Sequence, residues 1–282
     1  MKMDNHPLRR WSLTILLGIL ALLFLSPMVL TITNSFCSDE EIIRSYGPAL
    51  GTEYMADTTV LHLLPQNATV SQYEKLLRNV DYRAKYWNSV VYAFLITVFQ
   101  TAVSALAAYG FLRYRSRLRT ILLFGYAVLM LMPYQVTLVP NYLVSRWLGL
   151  YNTRWAILFP GIFSVFGVYL LTRFMAQVPK DCIEAAQLDG AGEWLIFWRL
   201  CLPQCKSALW TVAMLIFFDS WNMVEQPLVL LHNELRYPLS VYLSRINTDE
   251  PGTAFAAAVV YMLPCLLIFI TGQRHLKENA RN

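Results

Sequence analysis

Two stretches of this 282-residue chain carry side chains whose type and spacing suit chemistry. The first is Glu184-Ala185-Ala186, with Asp189-Gly190 just beyond it. One carboxylate followed by two small side chains suits a short helix that approaches another surface closely and presents one fixed charge to it. The chemistry implied is a charge-assisted hydrogen bond, not a reaction. The second stretch is Asp219, Trp221, Asn222 and Glu225, which interrupt an otherwise apolar run. An acid inside such a run is costly unless paired or wetted, so Asp219 points either to a water-filled path or to a buried hydrogen-bonded pair near the outer interface. Asn88 and Gln135 are further polar groups at or within apolar segments, each satisfying a helix neighbour or lining the same path. No HExxH, GxSxG or GxxxxGK occurs, and the dipeptide Gly-Lys is absent, so a membrane hydrolase and a self-sufficient ATPase both lose their main support. The five cysteines show no metal spacing and the four histidines are scattered singly, so neither a metal nor a cofactor is expected. Cys37 alone would meet an oxidising compartment, without an internal partner, and no disulfide is expected.

The elements that must position these groups are membrane helices. The chain is 56% hydrophobic and 15% charged, with a mean hydropathy of +0.42, and a soluble chain of this size would carry more charge. Six apolar segments, at 11–33, 87–112, 120–140, 155–172, 207–231 and 254–272, are each long enough to cross a hydrocarbon core of about 30 Å at about 1.5 Å per residue. The fold class expected is therefore an all-α polytopic membrane protein. With the N-terminus inside, the inner segments (1–10, 113–119, 173–206 and 273–282) hold 14 of the 23 Lys and Arg in 61 residues, against 9 in 89 outside. That is the sense of the positive-inside rule and places both termini in the cytoplasm. Arg113, Arg115, Arg117 and Arg119 alternate in one short inner loop; they suit a topology anchor, the competing reading being a patch for nucleic acid or anionic lipid. The segment 11–33 is read as a span, not a signal peptide, because its apolar run continues through Met28-Val29-Leu30 and no small-x-small site follows.

The segment 34–86 is expected outside, with short elements only. Thr69 and Gln72 resemble a capping box, and Tyr73, Leu76, Leu77 and Val80 form an apolar stripe, which predicts one amphipathic helix there. It either lies on the membrane surface or meets an external protein. Thr97, Thr101, Ser104, Ala105 and Ala108 make a small-residue stripe on the second span, suited to close helix approach. Around the first stretch, Pro179 and Asp181 suit a helix start and Asp189-Gly190 with Gly192 its end, so Lys180–Leu188 should form a helix of about two and a half turns. Trp194, Phe197, Trp198 and Cys201 then recur at helical spacing, which predicts a second short helix at the bilayer surface, ended by Pro203.

Taken together, Glu184-Ala185-Ala186, three residues, Gly190, nine residues, Leu200, one residue and Leu202-Pro203 resemble the cytoplasmic EAA loop of permease subunits in bacterial ABC importers. Leu200 stands where isoleucine is usual. Asp189-Gly190-Ala191, Phe197 and Trp221-Asn222 look like the carbohydrate branch, the maltose-type second permease. So do Trp87-Asn88-Ser89, Ala107-Ala108-Tyr109, Met132-Pro133 and Leu148-Gly149-Leu150 followed by Asn152-Thr153, so the likeness covers roughly 86–240. The resemblance implies six transmembrane helices, with a five-helix permease core at 87–272 and a cytoplasmic coupling helix in the loop 173–206. It implies a non-catalytic subunit of the bacterial cytoplasmic membrane that imports a sugar or oligosaccharide. Glu184, Ala185, Ala186, Asp189 and Gly190 would dock a separate ATP-binding subunit dimer, while Asn88, Gln135, Asp219 and Asn222 would border the translocation path. The implied partners are that ATPase, a second, paralogous permease, an extracytoplasmic sugar-binding protein and membrane lipid, with no nucleic acid. The competing class, a self-contained secondary transporter or channel subunit, would need a coupling-ion site, inverted repeats or intramembrane charge pairs. One intramembrane acid and no repeat are visible.

Overall fold

The computed structural model describes residues 7–50, 64–114, 116–245 and 251–279. Parts of the reading above that fall on Arg115, on 51–63 and on the extreme termini lie outside these residues. Every regular element among them is helical. In chain order they are α1 (Pro7–Asn34), α2 (Asp39–Leu50), α3 (Ser71–Arg78), α4 (Val80–Arg113), α5 (Arg117–Leu131), α6 (Tyr134–Trp147), α7 (Trp155–Ile162), α8 (Val165–Met175), α9 (Lys180–Leu188) and α10 (Glu193–Ile196). After a π-helical turn at Phe197–Cys201 come α11 (Leu202–Gln204), α12 (Lys206–Trp221), α13 (Glu225–Leu230), α14 (Leu239–Ser244) and α15 (Pro251–Asn279). Four stretches of helix are long and apolar enough to cross a membrane, and six if each of two bent pairs counts as one span. The chain divides into two units, one of Met1–Asn79 with Ile246–Leu263 and one of Val80–Arg245 with Pro264–Asn282.

In the first unit, α1 is apolar and exposed all round over 11–29, as a helix bathed in hydrocarbon would be. At its C-terminal end the chain turns through a small polar cluster. Asn34 donates to the Tyr46 hydroxyl at 2.6 Å, and the Ser35 and Tyr73 hydroxyls share a bond of 2.6 Å. Asp39 accepts from Gln72 at 2.6 Å and pairs with Lys75. Burial alone would raise the Asp39 pKa, but the bonds from Lys75 and Gln72 hold its carboxyl below the usual range. The amphipathic helix is present as α3, which stops at Arg78, two residues before the end of the apolar stripe: Leu76 is buried, while Leu77 and Val80 are exposed. The capping box does not form. Val70 occupies the cap position, so the Thr69 hydroxyl instead accepts from the Ser71 amide at 3.1 Å, and Gln72 turns inward to Asp39.

The second unit is organised on α4, which packs against α7, α8, α12 and α14. Its small-residue stripe does what such stripes do. Ser104, Ala105 and Ala108 are buried, and a Cβ at Gly167 of α8 would lie 2.5 Å from the Ser104 hydroxyl, so only glycine permits that approach. Tyr92, Ile96, Ile157, Leu171, Met175, Val212 and Ile216 complete the core between these helices.

Three of the expected spans are not single helices. The segment 120–140 is divided between α5 and α6, whose axes differ by 105°. Pro133 pushes Met132 out of the helical region, to ψ 132, and takes ψ 139 itself, so the helix stops and restarts. In 207–231 the helix ends at Trp221 and resumes at Glu225, because the ring of Pro227 clashes with a helical carbonyl at Met223. Finally, 155–172 is interrupted at Phe163-Ser164, where the Ser164 hydroxyl accepts from the Phe166 amide and starts α8.

Candidate functional site

Helix α9 has the bounds its sequence implies, and its end is built by backbone geometry. Gly190 takes φ +79, and Ala191 donates its amide to the Ala186 carbonyl while Gly190 donates to that of Gln187, both at 3.0 Å. This paired closure needs a residue in the left-handed region directly after the cap, which Asp189 occupies. Ala186 thus has a second use besides being small: its carbonyl anchors the turn that aims the next segment. Ile183 is the buried residue of α9; Glu184, Ala185, Asp189 and Gly190 are exposed and Ala186 is half-buried. Leu188, one turn after Glu184, is 89% exposed, so the outward face presents the carboxylates of Asp181 and Glu184 beside one uncovered apolar side chain.

The segment that follows is fastened to α4. Glu193 opens α10 and accepts two bonds from the Arg113 guanidinium, from Nε at 2.8 Å and from Nη2 at 2.5 Å. The Tyr109 hydroxyl donates to the same carboxylate at 2.5 Å, and the Gln187 amide of α9 donates to it at 3.2 Å. The bonds from Arg113 first, then that from Tyr109, hold the Glu193 carboxyl below the usual range. Next to this pin Phe197 is buried, with its ring 5.1 Å from that of Tyr109, while Trp194 and Trp198 stay exposed. The backbone there widens into a π turn, in which the Leu202 amide reaches the Phe197 carbonyl. Pro203 has no N–H for the Arg199 carbonyl and its ring needs room there, which the wider turn provides. The surface helix therefore runs on through Pro203, and the chain bends at Cys205, by 78°, into α12.

The polar groups of the apolar segments separate into two places. Asn88 is buried, and its amide is fully engaged: it donates to the carbonyls of Leu235 at 2.8 Å and Tyr237 at 3.1 Å, and accepts from Arg154 at 3.1 Å. Beside it Ser89 accepts from the Leu239 amide at 2.7 Å, and Tyr92 donates to the Arg236 carbonyl at 3.0 Å. Together these tie one end of α4 to the loop 231–239. Gln135 instead donates to both carboxylate oxygens of Glu225 at 3.0 Å, joining the restart of α6 to that of α13. Asn222 donates to the Phe218 carbonyl and closes α12. Tyr134, Gln135, Asp219, Asn222 and Glu225 are all exposed, so two broken helices present one polar face at the depth of the apolar segments. Irregular backbone and carboxylates at that depth fit a wet surface and not lipid.

An apolar cavity of about 620 Å³ also opens between α4, α12 and the aromatic surface turn, lined by Thr97, Thr101, Trp194, Trp198 and Trp210. Its lining suits hydrocarbon better than a polar solute. Among the described residues no three His, Cys, Asp or Glu side chains gather as metal ligands.

Sequence reasoning brought forward Glu184 through Gly190 but missed Glu193, Tyr109 and Gln187, and gave Arg113 a topological role alone. A signal was present: Tyr109 and Arg113 are four residues apart on one helix face, and Glu193 is the first acid after the second glycine.

Comparison with known proteins agrees with this architecture. Residues 100–282 match the family described as the binding-protein-dependent transport system inner membrane component. The lactose transport system permease protein LacG of Rhizobium radiobacter is 29% identical over 202 residues, which cover 71% of this chain and 74% of that protein. The arabinooligosaccharides transport system permease protein AraQ of Halalkalibacterium halodurans is 25% identical over 279 residues, 98% of this chain and 96% of that one. A chain in the crystal structure of a bacterial ABC transporter involved in the import of the acidic polysaccharide alginate superposes with a TM-score of 0.80 at 24% identity, covering 97% of this chain and 98% of its own.

Proposed function

We propose, from the premise that the chain belongs to the binding-protein-dependent transport system inner membrane component family, that it is the permease subunit of an ATP-driven importer for a sugar or oligosaccharide. The observation that carries this reading is α9: a short helix with one buried residue, an exposed Glu184 beside an exposed Leu188, and an end held by a left-handed Gly190. Such a helix has no internal use for its outward face. It fits a groove on a separate ATP-binding subunit, where Glu184 would meet a basic group and Ala185 and Ala186 would allow close approach. Asp189 and Gly190 would set the angle at which the loop leaves that groove. The sugar reading is supported by the names of LacG and AraQ, both transport permeases for saccharides.

The polar face of Gln135, Asp219 and Asn222, extended by Tyr134 and Glu225, suits a path for a hydroxyl-rich solute. Asn88 serves that path from its outer end, by holding the loop 231–239 in place. A second, paralogous permease would supply the other wall, and an extracytoplasmic binding protein would deliver the solute. ATP hydrolysis would belong to the ATP-binding dimer. The Lys and Arg distribution favours cytoplasmic termini and a cytoplasmic α9. Family membership disfavours a self-contained secondary transporter or channel.

The test is co-purification. From mild detergent the chain should come out with an ATP-binding subunit and a second permease; a chain that purifies from native membranes without any ATP-binding subunit would refute the assignment.

A further inference from the structure

Helix α4 is held at both ends by side chains that do not belong to the α9 docking face. Near one end Tyr109 and Arg113 grip Glu193, which in turn takes a bond from Gln187 on α9. Near the other end Asn88, Ser89 and Tyr92 hold the loop 231–239 through its backbone, a contact that leaves little dependence on that loop's side chains. From Asn88 to Arg113 the helix rises about 38 Å at 1.5 Å per residue, close to the full thickness of a bilayer with its interfaces. Proline is absent from this stretch and it runs as one continuous helix, in contrast to the interrupted α5/α6 and α12/α13 pairs.

Resting on the permease reading above, we propose that α4 is a rigid rod that carries movement of the docking helix across the membrane to the loop 231–239, and that the Glu193 carboxylate is the pin joining loop to rod. A movement sent along α12 must pass the bend at Cys205 and the break at 222–224, whereas α4 has neither. Glu193 is a positioning residue: it touches no solute and acts through Arg113 and Tyr109. Glu193 is about half exposed and Arg113 about a quarter, and a partly exposed ion pair contributes modestly to folding, so cutting it should leave the helices assembled. What is lost is the fixed relation between α9 and α4.

The experiment uses the assembled transporter purified in mild detergent. One spin label is placed on Cys182, which is exposed on α9, and a second on an introduced Leu235→Cys, with the other four cysteines replaced by alanine. Distances are measured nucleotide-free and after trapping with MgATP and vanadate. Expected for the parent is one narrow distribution that keeps its mean in both states, because the labels ride on one rod. Glu193→Ala and Arg113→Met should each lose that narrow distribution while the ATP-binding subunit still co-purifies. The exchanged pair Glu193→Arg with Arg113→Glu should recover it, which a merely space-filling role would not allow. If Glu193→Ala stays as narrow as the parent, if the parent shifts its mean on trapping, or if the exchanged pair does no better than the single variants, the rod proposal is overturned. A parent that holds no ATP-binding subunit refutes the permease reading instead; the widths of parent, Glu193→Ala and exchanged pair in the nucleotide-free chain still decide on the pin.

Discussion

In the docking role proposed for α9, Glu184 and Gly190 would act by different physics at the same surface, and their variants should lose the partner for different reasons. Glu184 is exposed, so its carboxylate costs nothing when free, and a charge-assisted bond to a basic group on a partner is worth about 1.5 to 3 kcal/mol. Glu184→Lys should therefore weaken docking of the ATP-binding subunit by about tenfold or more. Gly190 contributes no side chain. Its φ of +79 is what Gly190→Val would resist, at a cost of about 1 to 2 kcal/mol, and the altered turn would misaim α9 while leaving every contact group present. Both variants should reach the membrane at normal levels and lose the co-purifying subunit; retention of that subunit by both would sink the docking role. Glu193 supplies a pH prediction. Its folded pKa is depressed, chiefly by Arg113, so the pin's contribution is complete above the ordinary carboxylate value of 4.5 and disappears as pH falls through the lower folded value. The spin-label distance between α9 and the loop 231–239 should then be the same from pH 8 to about pH 5 and broaden only below that range. Broadening between pH 7 and 6 would point to a histidine and not to this carboxylate.

At the scale of elements, the helices were legible where one local rule decided them. Lys180–Leu188 could be read to the residue because proline, acid and glycine mark its two ends. The existence of the apolar segments followed from hydropathy, as did their number if each bent pair is one span. What hydropathy does not report is direction, and so the 105° turn at Met132-Pro133 and the restart at Glu225 were invisible to it. Both breaks lie at prolines already present in the sequence, but proline inside membrane helices is often tolerated, and Pro140 and Pro264 lie within continuous helices here. The pin at Glu193 was hidden for another reason: it joins residues 80 apart in the chain, and no periodicity connects them. The α5/α6 turn has a consequence for the polar face, since it brings Gln135 to Glu225. Cysteines at these two positions should be joined in native membranes by a short bifunctional thiol reagent. Pro133→Ala restores an amide donor and lets α5 continue into α6, which swings position 135 away. Cross-linking should fall sharply in that background. Equal yields with and without Pro133 would show that the turn does not depend on the proline.

For the molecule as a whole, the constraint is which surfaces meet lipid and which meet water. Lipid is served by α1, exposed and apolar all round over 11–29, and by α5, which has no buried residue and exposes Leu118, Ile121, Phe124 and Leu131. Asp219 and Glu225 cannot face hydrocarbon in the charged form without a cost of several kcal/mol, so their exposure implies water or another subunit against them. The orientation proposed above rests on 14 of the 23 Lys and Arg lying in the four short segments assigned to the inside. On that proposal α3 is outside and the π turn inside. Ser45 would be a poor reporter of the outer segment, because it is buried and would be slow to label on either side. Leu77, on the open face of α3, and Arg199, on the surface turn, are both exposed and free of that ambiguity. In a background without the exposed Cys182, Leu77→Cys should react with a membrane-impermeant maleimide in intact cells, while Arg199→Cys should react only after lysis. The reverse pattern would invert the protein in the membrane. It would also put α9 on the side without ATP, and the docking role of Glu184, the pin at Glu193 and the rod would all fall with it.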